Sequence, residues 1–178
     1  MTRLRWISGG LLYLYTVLYL SRFDLTGDLG RLMEALSEPS VLMVFSFLGL
    51  YPLAYTLYVL RSPSIRHLRV KVALVLSFFL GAFALEWVML KPLDETLSKP
   101  SFHRRIAAWT GLVLTLILFV YGVFFAQFEA YLEAFQTVAF VHIMTLDFVV
   151  LTLWTWTLKE PKGLMKWIPL VGLFKASG

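Results

Sequence analysis

The chain reads as all-α: a polytopic transmembrane helix bundle of about five spans with a short C-terminal interfacial segment. Three observations predict this. Charged residues make up 15% of the 178 positions and hydrophobic residues 59%, against about 25% and about 45–50% in soluble domains. The mean hydropathy is +0.76. The apolar stretches are continuous rather than alternating, which favours spanning helices over a barrel. The expectation is a single transmembrane domain over residues 1–178.

The elements follow in order. The first span, about Leu4 to Leu20, follows Arg3 and Arg5. With no small-x-small cleavage site, it reads as a retained span rather than a signal peptide. Residues 22–39 place Leu29, Leu32, Met33 and Leu36 at spacings of three and four among acids. That pattern fits an amphipathic helix on the membrane surface. The second span, about Ser40 to Leu60, contains Pro52. A basic turn, residues 61–71, leads to the third span, about Val70 to Leu90. Residues 91–105 hold two prolines and mixed charge, and read as a loop. The fourth span is about Ile106 to Ala126. A short acidic link, about 127–136, precedes the fifth, about Thr137 to Thr157. The apolar segment from Trp167 to Phe174 is too short to span. It reads as an interfacial tail, with a short helix dipping into the bundle as the alternative.

Arg5 and Lys71 lie at span edges, where they are expected to snorkel to headgroups. Counting Lys and Arg over five spans favours the N-terminus outside and the C-terminus in the cytoplasm, whereas the first span alone argues the reverse. Residues 34–47, EALSEPSVLMVFSF, align with 133–146, EAFQTVAFVHIMTL. With the third span between the copies, this repeat would be inverted, as in some transporters.

The absence of cysteine excludes disulfides, thiolate nucleophiles, and cysteine-held zinc or iron–sulfur clusters. The net charge of +5 reflects basic span flanks that meet anionic lipid. No basic stripe is interleaved with exposed aromatics, so the bilayer is the expected partner and nucleic acid is not. Phosphate-loop, dinucleotide and nucleophile-elbow motifs are missing. The histidines His67, His103 and His142 have no metal-ligand spacing. The six tryptophans lie near span ends, as in an aromatic belt.

Candidate site residues come from the cost of polar groups in hydrocarbon. Asp147 is at the middle of the fifth span, and an acid at that depth is expensive. With no deep Lys or Arg to pair it, the expected state is a neutral, hydrogen-bonded acid. One role is to lock two helices together; another is to anchor a polar ligand or carry a proton. Tyr51 lies at similar depth, directly before Pro52, which frees the Leu48 carbonyl and kinks the helix. Gly49 would allow close approach. Asp147, Tyr51 and this freed carbonyl form an expected polar focus. His142 is a candidate ligand to haem or chlorophyll magnesium, or a satisfied buried histidine. Glu86 is expected to reach an interfacial salt bridge near Lys91, Arg104 and Arg105.

FVHIMTLDFVVLTL (140–153), with WIPLVGLF (167–174) after it, resembles a group of small multi-pass membrane proteins from cyanobacteria and plastids. Its core is the pattern H-x-x-T-x-D-F, formed by His142, Thr145, Asp147 and Phe148. The resemblance covers about the last fifth of the chain. It implies a thylakoid or cyanobacterial plasma membrane and carries no mechanism. Such proteins continue their last apolar helix where this sequence stops at Gly178, a departure that puts a sixth span in doubt. Cofactors stay unassigned. Three functions are compatible with these residues. The first is a non-enzymatic accessory, assembly or scaffold component of a larger membrane complex, or a homo-oligomer. The second is a small carrier or ligand-binding protein using the focus around Asp147. The third is a lipid- or isoprenoid-modifying enzyme with Asp147 or Glu86 in acid–base roles.

Overall fold

The computed structural model describes residues 2–21, 25–62, 68–89, 98–158 and 163–178. The described residues are mostly helical, without strands. The helices are α1 (Thr2–Leu20), α2 (Leu25–Ala35), α3 (Pro39–Val59), α4 (Leu68–Leu80), α5 (Ala82–Met89), α6 (Phe102–Phe125), α7 (Phe128–Thr137), α8 (Ala139–Trp156) and α9 (Pro169–Ser177). Three of them, α3, α6 and α8, are long and apolar enough to cross a membrane. The count of about five is not reached, for two reasons. First, α1 is 19 residues long, but Arg3, Arg5 and its tyrosines dilute its hydropathy. Second, the stretch expected as the third span is broken.

The break is at Gly81. Its φ is +54, a left-handed conformation that side chains with a Cβ rarely adopt. Gly81 ends α4, its N–H donating to the Ser77 carbonyl, and its own carbonyl accepts from Leu85 to start α5. The two helices then fold against each other. Leu68, Val72 and Leu76 of α4 share a wall with Phe83 and Trp87 of α5 and with Tyr13. At 1.5 Å per residue, α4 rises about 20 Å and α5 about 12 Å. The result is a helical hairpin with its tip at Gly81, returning to the end of the bundle from which it starts.

This hairpin changes the direction of everything after it. The Arg104 guanidinium donates to the Leu60 carbonyl at 2.9 Å, joining the start of α6 to the end of α3. Met43, near the start of α3, lies over Gly122, near the end of α6. So α3 and α6 are antiparallel. By contrast α3 and α8 are parallel. Val41 packs with Val138 and Val141 in one cluster, the Tyr51 and Thr152 hydroxyls meet at 2.7 Å, and Tyr55 reaches Leu151 and Thr155. The two aligned repeat segments each run from the end of a short helix (α2 or α7) into α3 or α8. They therefore lie parallel, and the expected inversion is corrected because the stretch between them is a hairpin and not a crossing.

Two further connections take defined forms. The short acidic link is itself a helix, α7. The C-terminal segment takes the alternative form of a helix inserted in the bundle. After a 3₁₀ turn at Gly163–Trp167, α9 buries Leu170, Leu173 and Phe174. Phe174 lies directly on Gly111 of α6, Ser177 donates to the Leu173 carbonyl at 2.7 Å, and Arg61 bonds the Ala176 carbonyl. An interfacial tail would leave these apolar side chains half in water; the bundle offers them a glycine-floored slot.

The ends of the bundle are electrically distinct. At the end holding the hairpin base and α9 lie Arg61, Arg69, Lys71, Arg104, Arg105 and Lys175. At the other end, among residues with described side chains, are Arg31, Glu34, Glu38, Glu129 and Glu133.

Candidate functional site

Asp147 faces the hairpin tip. Oδ1 accepts a hydrogen bond from the Ala82 N–H at 2.7 Å. The carboxyl group fills the space where a Cβ on Gly81 would be. The reason is local. The first N–H groups of a helix have no partner within it, and in an apolar bundle a bare one costs about 1–3 kcal/mol. Asp147 supplies the acceptor, and an acidic group at a helix N-terminus also suits the helix dipole. The acid is thus hydrogen-bonded and ties α8 to the hairpin.

The expected company of Asp147 is only partly present. Tyr51 is buried but turns to Thr152, with its ring edge-on to Phe148 at 5.5 Å between centroids. Its helix continues unbroken through Pro52. Tyr51 is not among the residues lining the cavity beside Asp147: periodicity fixes depth, but Tyr51 points along the α3–α8 seam. Gly49 and Leu48, however, do share a cavity with Asp147, about 500 Å³ in volume and also lined by Thr16 and Ser77.

His142 is satisfied at both nitrogens. Nε2 is 2.7 Å from the Tyr15 hydroxyl and Nδ1 is 3.1 Å from the Phe135 carbonyl. A carbonyl only accepts, so Nδ1 carries the proton and Nε2 accepts from Tyr15. The ring stacks against Tyr19 and Phe135 at 4.4 and 4.2 Å. Both nitrogens being engaged, the histidine offers no electron pair to a haem or chlorophyll metal in this arrangement. Among the described residues no group of three His, Asp or Glu side chains forms a metal site.

Glu86 is not in the expected salt bridge with Arg104 or Arg105. It lies buried against Gly9 of α1, in the space a Cβ there would take. Arg104 instead donates to Ser101 and Leu60. Lys91 lies outside the described residues.

Arg5 was expected to snorkel. It is buried, and its Nε donates to the Thr157 hydroxyl at 2.6 Å while Nη2 donates to the Thr157 carbonyl at 3.1 Å. Thr157 caps the C-terminus of α8, where a cation is favoured. Nearby, the Trp154 indole donates to Ser8 at 2.8 Å. Tyr13 donates to the Phe83 carbonyl at 2.7 Å, tying α1 to α5. At the acidic end, Tyr131 and Thr145 join through their hydroxyls at 2.6 Å, and burial pushes the Tyr131 phenol above its ordinary value. Sequence reasoning missed the Arg5–Thr157 and Gly81–Asp147 pairs. The signal for the second was present: one glycine at mid-depth of one apolar stretch, and one acid at mid-depth of another.

The arrangement contains hydrogen-bonded helix-to-helix ties and, beside Asp147, a partly polar cavity. No protein-family model, curated protein or solved structure matches the chain.

Proposed function

We propose that the chain is a non-enzymatic integral membrane protein, an accessory, assembly or scaffold component of a larger membrane complex. It crosses the bilayer four times, through α1, α3, α6 and α8. The α4–α5 hairpin and α9 dip in from one face. The basic end, which carries both termini, faces the cytoplasm or its equivalent, as the positive-inside rule favours. The resemblance at residues 140–153 supports a thylakoid or cyanobacterial plasma membrane.

The observation that carries this reading is α6. This 24-residue helix packs on one side, against α3 and α9. Its other side is a bare apolar stripe at three- and four-residue spacing: Val113, Leu116, Ile117, Val120 and Phe124. The buried polar side chains meanwhile tie helices together, which suits a rigid body that presents a face. Mild solubilisation should release the protein in a particle much larger than its own 20.4 kDa. The Ile117→Trp and Val120→Trp variants should free it from that particle without changing its thermal unfolding. A homogeneous isolated monomer in native gels sinks the reading.

A further inference from the structure

Between α6 and α9 lies a groove of about 500 Å³, charged at its mouth and apolar along the rest. Its volume is within the range of sites that enclose small molecules. One wall is α6, with Arg105, Trp109 and Leu112; the other is α9, with Val171 and Lys175. The last turn of α9 lies on the first turn of α6: a Cβ on Gly178 would stand 3.8 Å from the Arg105 Cα. That contact brings Lys175 and Arg105 to the same mouth. From Arg105 to Leu112 the α6 wall descends about 10 Å at 1.5 Å per residue. In the bilayer placement proposed above, the groove runs from the basic rim into hydrocarbon.

The other described arginines of this rim that touch α3 or α9 are occupied. Arg61 bonds the Ala176 carbonyl, and Arg104 donates to Ser101 and Leu60. Arg105 and Lys175 differ. Both are exposed, and neither side chain makes a hydrogen bond or ion pair among the described residues. No Asp or Glu is among the residues lining the groove, and the carboxylate of Gly178, in the same wall, forms an ion pair with neither cation. Arg105 also lies in the first turn of α6, where the helix dipole disfavours a cation, and that turn holds no acid to offset it. An anion between the two side chains relieves both. A free phosphate would fill only the charged mouth, and a neutral lipid only the apolar wall. An amphiphile with an anionic head fills both.

We propose that this groove binds an anionic phospholipid, its phosphate held between Arg105 and Lys175 and one acyl chain laid along Trp109, Leu112 and Val171. The inference rests on the bilayer placement but not on the accessory role. Binding is read on the isolated chain, so it stands or falls apart from any larger particle.

The test is native mass spectrometry of the full chain in detergent, titrated with dioleoyl phosphatidylglycerol or with phosphatidylcholine of the same chains. Phosphatidylglycerol should bind about tenfold more tightly, as two cations near a lipid phosphate allow. Arg105→Gln with Lys175→Gln should abolish that preference while leaving phosphatidylcholine binding and thermal unfolding as in the parent. Arg69→Gln with Lys71→Gln removes the same charge elsewhere on the basic end and should leave the preference intact. Leu112→Trp should weaken both lipids by filling the chain's path. Glycerol phosphate, which has the head without the chains, should not compete. Four results overturn the proposal: equal binding of the two lipids, a preference that survives loss of Arg105 and Lys175, an equal loss in the Arg69 and Lys71 variant, or displacement of the lipid by glycerol phosphate.

Discussion

The bundle takes two inserts from the same end, and they are built differently. The α4–α5 hairpin ends in a polar tip: a left-handed Gly81 and a bare Ala82 N–H, closed by a carboxyl from α8, with a cavity alongside. The second insert, α9, is an apolar plug. Phe174 and Leu173 are almost fully buried, and Phe174 lies on Gly111 in a slot floored by glycine. An insert that turns back inside hydrocarbon exposes backbone groups and needs a polar partner. An insert that starts and ends at the rim as one short helix needs only shape. The costly acid of the sequence therefore sits where the chain reverses.

This contrast can be broken at either insert. The largest effect is expected at Gly81→Val, which forces a β-branched residue to positive φ and displaces the Asp147 carboxyl. Thermal unfolding in detergent should show a loss of about 3 kcal/mol or more. Asp147→Leu keeps the branched shape, with somewhat greater bulk, but strips the acceptor from Ala82, and should cost about 1–3 kcal/mol in the same assay. At the plug, Gly111→Leu drives a side chain into the Phe174 ring. It should cost about 1–3 kcal/mol and expose α9 to protease. Asp147→Asn retains an acceptor for Ala82 and should cost under about 1 kcal/mol. Equal losses for the asparagine and leucine variants would mean that the acid does more at the tip than accept that hydrogen bond. The smallest effect belongs to Gly49→Ala, facing open space, expected within about 0.5 kcal/mol of the parent.

Much of the fold was legible because apolar continuity is a local property. The helices α3, α6 and α8 match the second, fourth and fifth apolar stretches, and the three- and four-residue spacing of Leu29, Leu32 and Met33 falls within α2. The hairpin was not legible. Residues 70–90 are largely apolar, and the glycine within them gains meaning only when set beside the acid at the same depth of another stretch. What bends the chain is a hydrogen bond to a residue 65 positions away. The site shows the same split. Asp147 was conspicuous by its cost, but its partner was sought among side chains at equal depth, and Tyr51 qualified. The true partner is a backbone N–H, which exists as a free donor only once the helix has broken. Arg5 was misjudged for a similar reason: its acceptor is Thr157, at the C-terminus of a helix, 152 positions later in the chain.

The central claim is that residues 68–89 turn back at Gly81 rather than cross. The chain has no cysteine, so single cysteines can be placed freely. Arg69→Cys, at the start of the hairpin, and Lys99→Cys, after it, should both react with an impermeant maleimide from the same face of sealed vesicles. Glu129→Cys should react only from the opposite face. Labelling of Arg69→Cys and Lys99→Cys from opposite faces would contradict the account.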